Sequence, residues 1–556
     1  MMMLRCKGAS HQHLHVGFFL LICIMVSYLV IPYISPQLKS FSETTRYSDV
    51  ARPRHAAFTE HAAFVEHANT EEPNAGHTRY GEAEEIYRQV ESNIYYNKQY
   101  SLALLRQFNT QISGQTEQEK LKEAIEDVKH YFRVTQYDLW RFGNESGLHA
   151  WQKKEMEALG DLIQHRIHAL QNPADCKSAK KIICNIPVAI KARGTGSQLH
   201  HISYCFLAAY GTQRTLIIKR KETKSMVIDM DPYFLPLSES CTQTTQTIAK
   251  WPGTEDSPVV QFPDTDRPFP RPNYLPRSVP RDIAQRLTKV HGDPFAWWMG
   301  QFFKYTMRMT RGFQKYVEKL GDRLGFKGPI VGVQVRRTDK LRHDSRLIGL
   351  EEYMEAVDDF FDDLELRGTK VTTRRIYLAT DDPQVLMEAK KFPNHTFVYN
   401  EESIATASLS QRRTEANVKN FMADIYFLSR SDFLVCAMSS NICRLAYELM
   451  QTLHQDASRK VFSVDSPYWF HFQSDHEVEA RYPHTPRREE EIELQKGDRV
   501  REILRYYSKH RNYHDGFIHG FNQRTRKAGL YPIYKTVDVL RLADTPPFDA
   551  IDMRDK

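Results

Sequence analysis

The sequence predicts an α/β protein organised on a doubly wound parallel sheet, with helices ahead of it and a small β-barrel behind it. Three observations carry that expectation. Residues 329–473 alternate short β-branched runs with helical stretches, and each run stops abruptly at polar or charged residues, as buried parallel strands do. Before residue 172 the apolar spacing is three and four, the signature of long amphipathic helices. After residue 474 it becomes a two-residue alternation broken by turn residues.

The bulk properties bound what such a chain can do. With 556 residues, 41% hydrophobic and 26% charged, there is material for two or three domains. The net charge of +7 is spread along the chain, which excludes a nucleic-acid stripe and leaves room for an anionic small substrate. Residues 16–34 carry no charge and follow Arg5 and Lys7, so they are long enough to span a bilayer, with residues 1–15 as a cytoplasmic tail and the rest on the far side. A cleaved signal peptide is the alternative, and it too delivers the body to a lumenal or extracellular space. Cys6 and Cys23 fall before or within that span. The other six, Cys176, Cys184, Cys205, Cys241, Cys436 and Cys443, form no CxxC pair and have no histidine cluster, so disulfides are expected rather than zinc. Asn144-Glu145-Ser146 and Asn394-His395-Thr396 are possible glycosylation acceptors.

In chain order, residues 35–80 are rich in Pro, Ser, Thr, Ala and His without apolar periodicity and read as a flexible stem. Residues 81–172 hold helices, with Leu121, Ile125, Val128 and Phe132 on one face, and form either an antiparallel pair packed on the body or a dimerising coil. Residues 173–328 form a first α/β lobe. A strand at 181–186, the loop Arg193-Gly194-Thr195-Gly196-Ser197, an apolar helix and a strand at 215–218 make one βαβ unit. Its loop amides and helix N-terminus suit an anion, or the glycines serve the turn alone. An apolar run ending in Asp229-Met230-Asp231 offers two carboxylates to a divalent ion, or merely a turn. Prolines recurring through 262–280 make a rigid connector, and Trp297-Trp298 begins a helix reaching Tyr305.

The lobe at 329–473 opens with the strand Ile330-Val331-Gly332-Val333-Gln334-Val335, which delivers Arg336, Arg337, Asp339 and Lys340 to its carboxyl end. The next strand ends in Asp381 and Asp382, and the last, Phe433-Leu434-Val435-Cys436, ends near Ser439, Ser440 and Asn441. Adjacent guanidiniums suit a diphosphate, because each offers a planar fork of donors and is always charged; alternatively they are a solvated strand end paired with Asp339. Three strand ends converging on one crevice favour the nucleotide site. Asp424, on the helix before the last strand, is placed to accept two donors from a guanine edge. Residues 474–536, with Lys496-Gly497-Asp498 as a turn and Ala528-Gly529-Leu530-Tyr531-Pro532 as a closing strand, suggest an SH3-like domain. Residues 537–556 form a charged, peripheral tail.

Several stretches together resemble a known family. Val335-Arg336-Arg337-Thr338-Asp339-Lys340, Tyr377-Leu378-Ala379-Thr380-Asp381-Asp382-Pro383, Asp432-Phe433-Leu434-Val435-Cys436, His291-Gly292-Asp293-Pro294, Gln198-Leu199-His200-His201 and Tyr210-Gly211-Thr212-Gln213-Arg214 are similar to motifs of the N-glycan core alpha-1,6-fucosyltransferases. The likeness runs over roughly residues 150–540 in the same order. It implies a two-lobed, GT-B-like catalytic region with a Rossmann-type lobe for GDP-β-L-fucose. The implied reaction is inverting transfer of L-fucose to the 6-hydroxyl of the innermost Asn-linked N-acetylglucosamine. It also implies no metal, a type II Golgi membrane protein with its catalytic region in the lumen, and a homodimer built on the stem helices.

Carried over residue by residue, the resemblance places Arg336 on the β-phosphate, with Gly194, Gly196, Ser440 and Asn441 nearby. Asp339, Asp381, Asp382 and Tyr353 join the donor site, and Asp424 faces the guanine. Lys340 and Arg337 are implied catalytic residues. Asp344 stands where the family's base is a Glu, one methylene longer, and Glu351 is the fallback. Ala192-Arg193-Gly194-Thr195-Gly196-Ser197 lacks both cysteines of the family's Gly-Cys-Gly-x-Gly-Cys loop, which leaves Cys176 to pair with Cys241, Cys184 with Cys205, and Cys436 with Cys443. Gln334 replaces a His often found near the guanine, and Tyr513-His514-Asp515-Gly516 lacks the Trp of proline-binding SH3 domains. Two other readings remain: a metal-dependent sugar transferase using Asp229 and Asp231, and a catalytically inactive glycan-binding scaffold.

Overall fold

A computed structural model describes residues 73–556 apart from 186–193, 220–228, 266, 339–340, 342–345, 409, 412–413, 471–472, 504–513, 549–550 and 552–556. The expected anchor at 16–34 and nearly all of the expected stem lie outside the described residues. Among the described residues no helix is long and apolar enough to cross a membrane.

Three long helices come first: α1 (Pro73–Gln111), α2 (Gln115–Glu145) and α3 (Leu148–Gln171). The first two pack on each other as a hairpin, and α3 carries Leu159, Ile163 and Ile167 at helical spacing into the main core. Both sequons are exposed, Asn144 near the end of α2 and Asn394 in a loop.

The first sheet is parallel, in the order β2-β1-β4-β3: β1 (Lys181–Asn185), β2 (Thr215–Lys219), β3 (Ile248–Lys250) and β4 (Val259–Gln261). Between β1 and β2 runs α4 (Thr195–Gly211), buried along its whole length, apolar in its second half and with polar side chains such as Gln198, His200 and His201 buried in its first. The proline-rich connector has little regular structure and ends in β5 (Ser278–Pro280). Then come α5 (Arg281–Val290), α6 (Pro294–Thr306) and α7 (Arg311–Leu324). Asp293 accepts the Ala296 amide at 3.1 Å with Pro294 in the first helical turn, so the His-Gly-Asp-Pro motif is the N-cap of α6.

The second sheet is also parallel, in the order β10-β9-β6-β7-β8, with β6 (Ile330–Val335) at its centre. It is followed by α8 (Leu350–Leu366), β7 (Arg374–Thr380), α9 (Gln384–Ala389), β8 (His395–Val398), α10 (Glu401–Thr406), α11 (Glu415–Arg430), β9 (Phe433–Cys436), α12 (Asn441–Met450) and β10 (Val461–Ser463). The chain leaves β6 towards β7 and β8, then returns to lay β9 and β10 on the other side. The switch point therefore lies between the carboxyl ends of β6 and β9. Val331, Val333 and Val335 face α8, while the opposite face joins a core continuous with the first sheet and α3.

The C-terminal sheet is antiparallel, in the order β14-β13-β12-β11-β15: β11 (Glu477–Ala480), β12 (Arg499–Glu502), β13 (Phe517–Asn522), β14 (Lys527–Pro532) and β15 (Thr536–Asp538). The alternating run 491–500 enters a strand only at its end; Glu491 and Leu494 make isolated bridges to Leu530 and His484. The expected peripheral tail is a correction. β16 (Arg541–Ala543) pairs in parallel with β5, and Phe548 is buried against Tyr210, with ring centroids 4.7 Å apart. One aromatic side chain anchors a segment whose composition is otherwise that of a solvated tail.

The three cysteine pairs are bonded as the resemblance implied: Cys176–Cys241, Cys184–Cys205 and Cys436–Cys443. Cys184 and Cys205 also lie near His201, but their bond leaves that trio no thiolates to offer a metal.

Candidate active site

The switch point gathers two helix N-termini from different sheets. Gly194 caps α4, is exposed, and has open space where a side chain would stand. Gly196 is the second residue of the helix, and a Cβ there would come within 2.9 Å of the Asn441 Cβ on α12, so a hydrogen is the only side chain that lets the helices approach this closely. The contact is polar as well: the Asn441 amide donates to the Ser197 hydroxyl at 2.8 Å. Ser440 is the buried N-cap residue of α12. The N-termini of both helices thus come together at one place, although the Ser197 amide already donates to the Gly194 carbonyl at 3.0 Å.

Arg336 and Arg337 diverge, because the chain stays extended past β6 and successive side chains point to opposite faces. The Arg336 guanidinium contacts the carboxylate of Asp381 and donates to the Thr338 hydroxyl at 3.2 Å, at the rim of the crevice. Arg337 turns inward and is 5% exposed. Its guanidinium donates to both Glu388 oxygens at 2.5 and 2.9 Å and to the Ile348 carbonyl at 2.8 Å, with Asp382 at 3.4 Å. The hydrogen bond to Glu388 raises the Arg337 pKa, and the same bond lowers that of Glu388. The expectation of a two-arginine clamp is therefore corrected: Arg337 holds the loop and α9 together, while Arg336 pairs with Asp381 at the carboxyl end of β6.

Asp381 and Asp382 also serve that loop. Asp381 accepts the Arg337 amide at 2.8 Å, and Asp382 accepts the Gln384 amide at 3.0 Å, opening α9. Tyr353, on the first turn of α8, is buried, and burial pushes its phenol pKa up. Glu351 is exposed and accepts from Lys391 at 2.9 Å; that hydrogen bond lowers its pKa and weakens it as a fallback base. Asp339, Lys340 and Asp344 lie outside the described residues.

On the α11 side of the sheet, Asp424 accepts from the Tyr377 hydroxyl at 2.6 Å and from the Ser403 hydroxyl. Burial pushes its pKa up to about 6, against the opposing pull of these two donors. Gln334 is 2% exposed, and its carboxamide oxygen is buried with no hydrogen-bond partner among the described residues. Asp229 and Asp231 are exposed, and Asp229 accepts the Asp231 amide at 3.1 Å, closing a local turn.

The sequence gives no sign of Glu388 as the partner of Arg337, since they meet across two βα units only once the strand order is known. Ser197 carries a detectable signal, a hydroxyl in the first turn after a Gly-x-Gly loop.

These features define an α/β protein whose two parallel sheets are joined where the N-termini of α4 and α12 meet. The sequence profile described as alpha-(1,6)-fucosyltransferase N- and catalytic domains matches residues 35–469. An alpha-(1,6)-fucosyltransferase of Drosophila melanogaster is 39% identical over 436 residues, covering 78% of this chain and 69% of that protein. One from Caenorhabditis elegans is 36% identical over 392 residues, covering 69% and 68%. Among solved structures, POFUT1 in complex with GDP-fucose aligns at a TM-score of 0.32 and 12% identity, over 52% of this chain and 98% of that one, too distant a likeness to carry an argument. The chain belongs to the alpha-(1,6)-fucosyltransferase family and is a fucosyltransferase, as its motifs implied.

Proposed function

We propose that the protein transfers L-fucose from GDP-β-L-fucose, with inversion, to the 6-hydroxyl of the innermost Asn-linked N-acetylglucosamine of N-glycans. The observation that carries this reading is the meeting of the α4 and α12 N-termini at the carboxyl end of β9, next in the sheet to β6, whose carboxyl end bears Arg336. Two sets of first-turn amides and one guanidinium supply the positive charge that a departing GDP needs, with no metal in the scheme. Asp424 accepts from the guanine edge once ionised, and the unpartnered Gln334 oxygen offers a further acceptor on the same face. Asp344 removes the proton from the acceptor hydroxyl on the face opposite GDP, and Lys340 stabilises charge in the transition state.

The two parallel sheets are what a two-lobed GT-B-like donor and acceptor arrangement calls for. The C-terminal sheet, in which the first and last strands pair, supports the SH3-like reading. A Golgi type II anchor at 16–34 and a homodimer built on the N-terminal helices complete the proposal. The direct test is GDP release and fucose transfer by purified protein in EDTA. Full turnover supports the metal-free site, whereas activity that vanishes in EDTA and returns with Mn²⁺ favours a metal-dependent transferase using Asp229 and Asp231.

A further inference from the structure

Behind the two helix N-termini lies a buried polar contact that joins the sheets. His200, on α4, is 1% exposed and Glu448, on α12, is fully buried. The His200 Nδ1 lies 2.6 Å from the Gly196 carbonyl, and its Nε2 lies 3.2 Å from Glu448 Oε2. A carbonyl oxygen only accepts, so Nδ1–H donates to Gly196, and the second contact is a hydrogen bond only with a proton between Nε2 and the carboxyl oxygen. The Tyr468 hydroxyl donates to the other Glu448 oxygen at 2.7 Å. Phe303 and Phe470 flank the imidazole, with ring centroids 5.3 and 5.1 Å away, and leave a dry environment in which the contact is strong and costly to lose.

We propose that His200 and Glu448 are positioning residues for donor binding: their contact sets the gap between the N-termini of α4 and α12 and so shapes the diphosphate site. His200 holds the carbonyl of Gly196, the residue at which the helices touch. Glu448 sits seven residues along α12 from Asn441, about 10 Å down the axis, so it governs the tilt of that helix more than its tip. On its other side α12 cannot yield, since a side chain at Gly300 of α6 would collide with the Glu448 carbonyl oxygen. Arg444, one turn before Glu448, completes the arrangement. It stacks on Trp469 at 3.9 Å, donates to the Met438 carbonyl at 3.1 Å and to the Asn441 side-chain oxygen, and so keeps the Asn441 amide turned towards Ser197.

The inference rests on the crevice being the GDP-fucose site, and the test separates the two. GDP affinity is measured by calorimetry on the whole protein, with kcat and the donor and acceptor KM, for wild type, Glu448→Leu and Glu448→Gln. In Glu448→Leu the donor KM and the GDP Kd rise about tenfold, while kcat at saturating donor and the acceptor KM stay within about threefold. Glu448→Gln, whose amide donates to a neutral imidazole and whose oxygen still accepts from Tyr468, restores affinity to within about threefold of wild type. A folded Glu448→Leu with wild-type donor KM overturns the proposal. So does a loss of melting temperature with affinity unchanged, because that is what a merely structural pair produces. Should Glu448→Leu fail to fold, Glu448→Asp is read in its place, since it keeps the charge but falls one methylene short of His200; the same rise is expected, and an unchanged donor KM overturns. Wild-type protein that does not bind GDP sinks the donor-site reading itself.

Discussion

At the carboxyl end of β6 two adjacent guanidiniums meet different surroundings, and their removal has different consequences. Arg336→Ala takes away the guanidinium at the end of β6, so turnover falls at least about a hundredfold; Asp381 keeps the Arg337 amide and the Thr338 hydroxyl as donors, so stability falls less than in Arg337→Ala. Arg337→Ala strands Glu388 beneath the loop and destabilises the fold by about 3 kcal/mol. Urea unfolding and transfer rates of both variants check the division; equal effects of the two on turnover, at equal stability, would refute it. Asp424 supplies a pH dependence. The carboxylate accepts from both guanine N–H groups and carries the charge that strengthens these bonds, whereas the protonated acid turns one oxygen into a donor; its pKa is pushed up to about 6, so GDP affinity rises as pH goes from 5 to 7. The terminal phosphate of GDP titrates at about the same pH, so the diagnostic is the difference between wild type and Asp424→Asn, which loses the carboxylate component. That Arg336 and Ser440 follow the carboxyl ends of buried strands is legible in the sequence, because β-branched runs ending in polar clusters mark strand ends. The inward turn of Arg337 is not, since it depends on Glu388 from the following unit.

At the scale of elements, α8 docks on the N-terminal helices. Its outer face carries Glu355, Asp359, Asp362 and Asp363. Arg133 of α2 reaches Asp359, Asp362 and Asp363 at 3.3, 3.0 and 3.0 Å, Lys98 of α1 reaches Asp359 at 3.0 Å, and Arg106 pairs with Glu355. Burial raises the Asp363 pKa, against the opposing charges of Lys98, Arg133 and Arg367. Arg133→Ala is expected to lower stability by about 1–2 kcal/mol at low salt and by less in 0.5 M NaCl, a dependence read from denaturant midpoints. Wild-type stability at both salt concentrations would remove this role. Helical spacing makes α1 to α3 legible, but their docking partner is not: an acidic helix face is indistinguishable from a solvated one until the opposing basic face is known.

For the molecule as a whole, the C-terminal sheet is held to the body by an ionic cluster in which His476, Glu502 and Arg277 are largely buried and Asp538 is exposed. His476 pairs with Glu502 at 2.5 Å and with Asp538, and Arg277 reaches Asp538 at 3.0 Å. Burial and the Arg277 charge pull the His476 pKa down, but the two carboxylates outweigh them and hold it at about 9. A folded-state pKa raised above its unfolded value contributes stability that is full below about 6.5 and is lost as pH rises through 9. Glu84 of α1, raised to about 8 mainly by burial, acts in the same direction, its contribution fading as pH climbs from 4.5 through 8. The melting temperature should therefore fall between pH 7 and 9.5, and His476→Gln should start lower and fall less steeply; an equal alkaline slope in both would contradict the assignment. This cluster and the returning tail escape sequence reading because each joins segments hundreds of residues apart.

The central claim is tested most directly by the product. Purified protein is incubated with GDP-fucose and an N-glycan bearing terminal N-acetylglucosamine, and the glycan is analysed by mass and linkage. The account predicts one added fucose, α-linked to the 6-position of the innermost N-acetylglucosamine, and none with Arg336→Ala. Fucose on an antenna, at another position, or undiminished in that variant would contradict it.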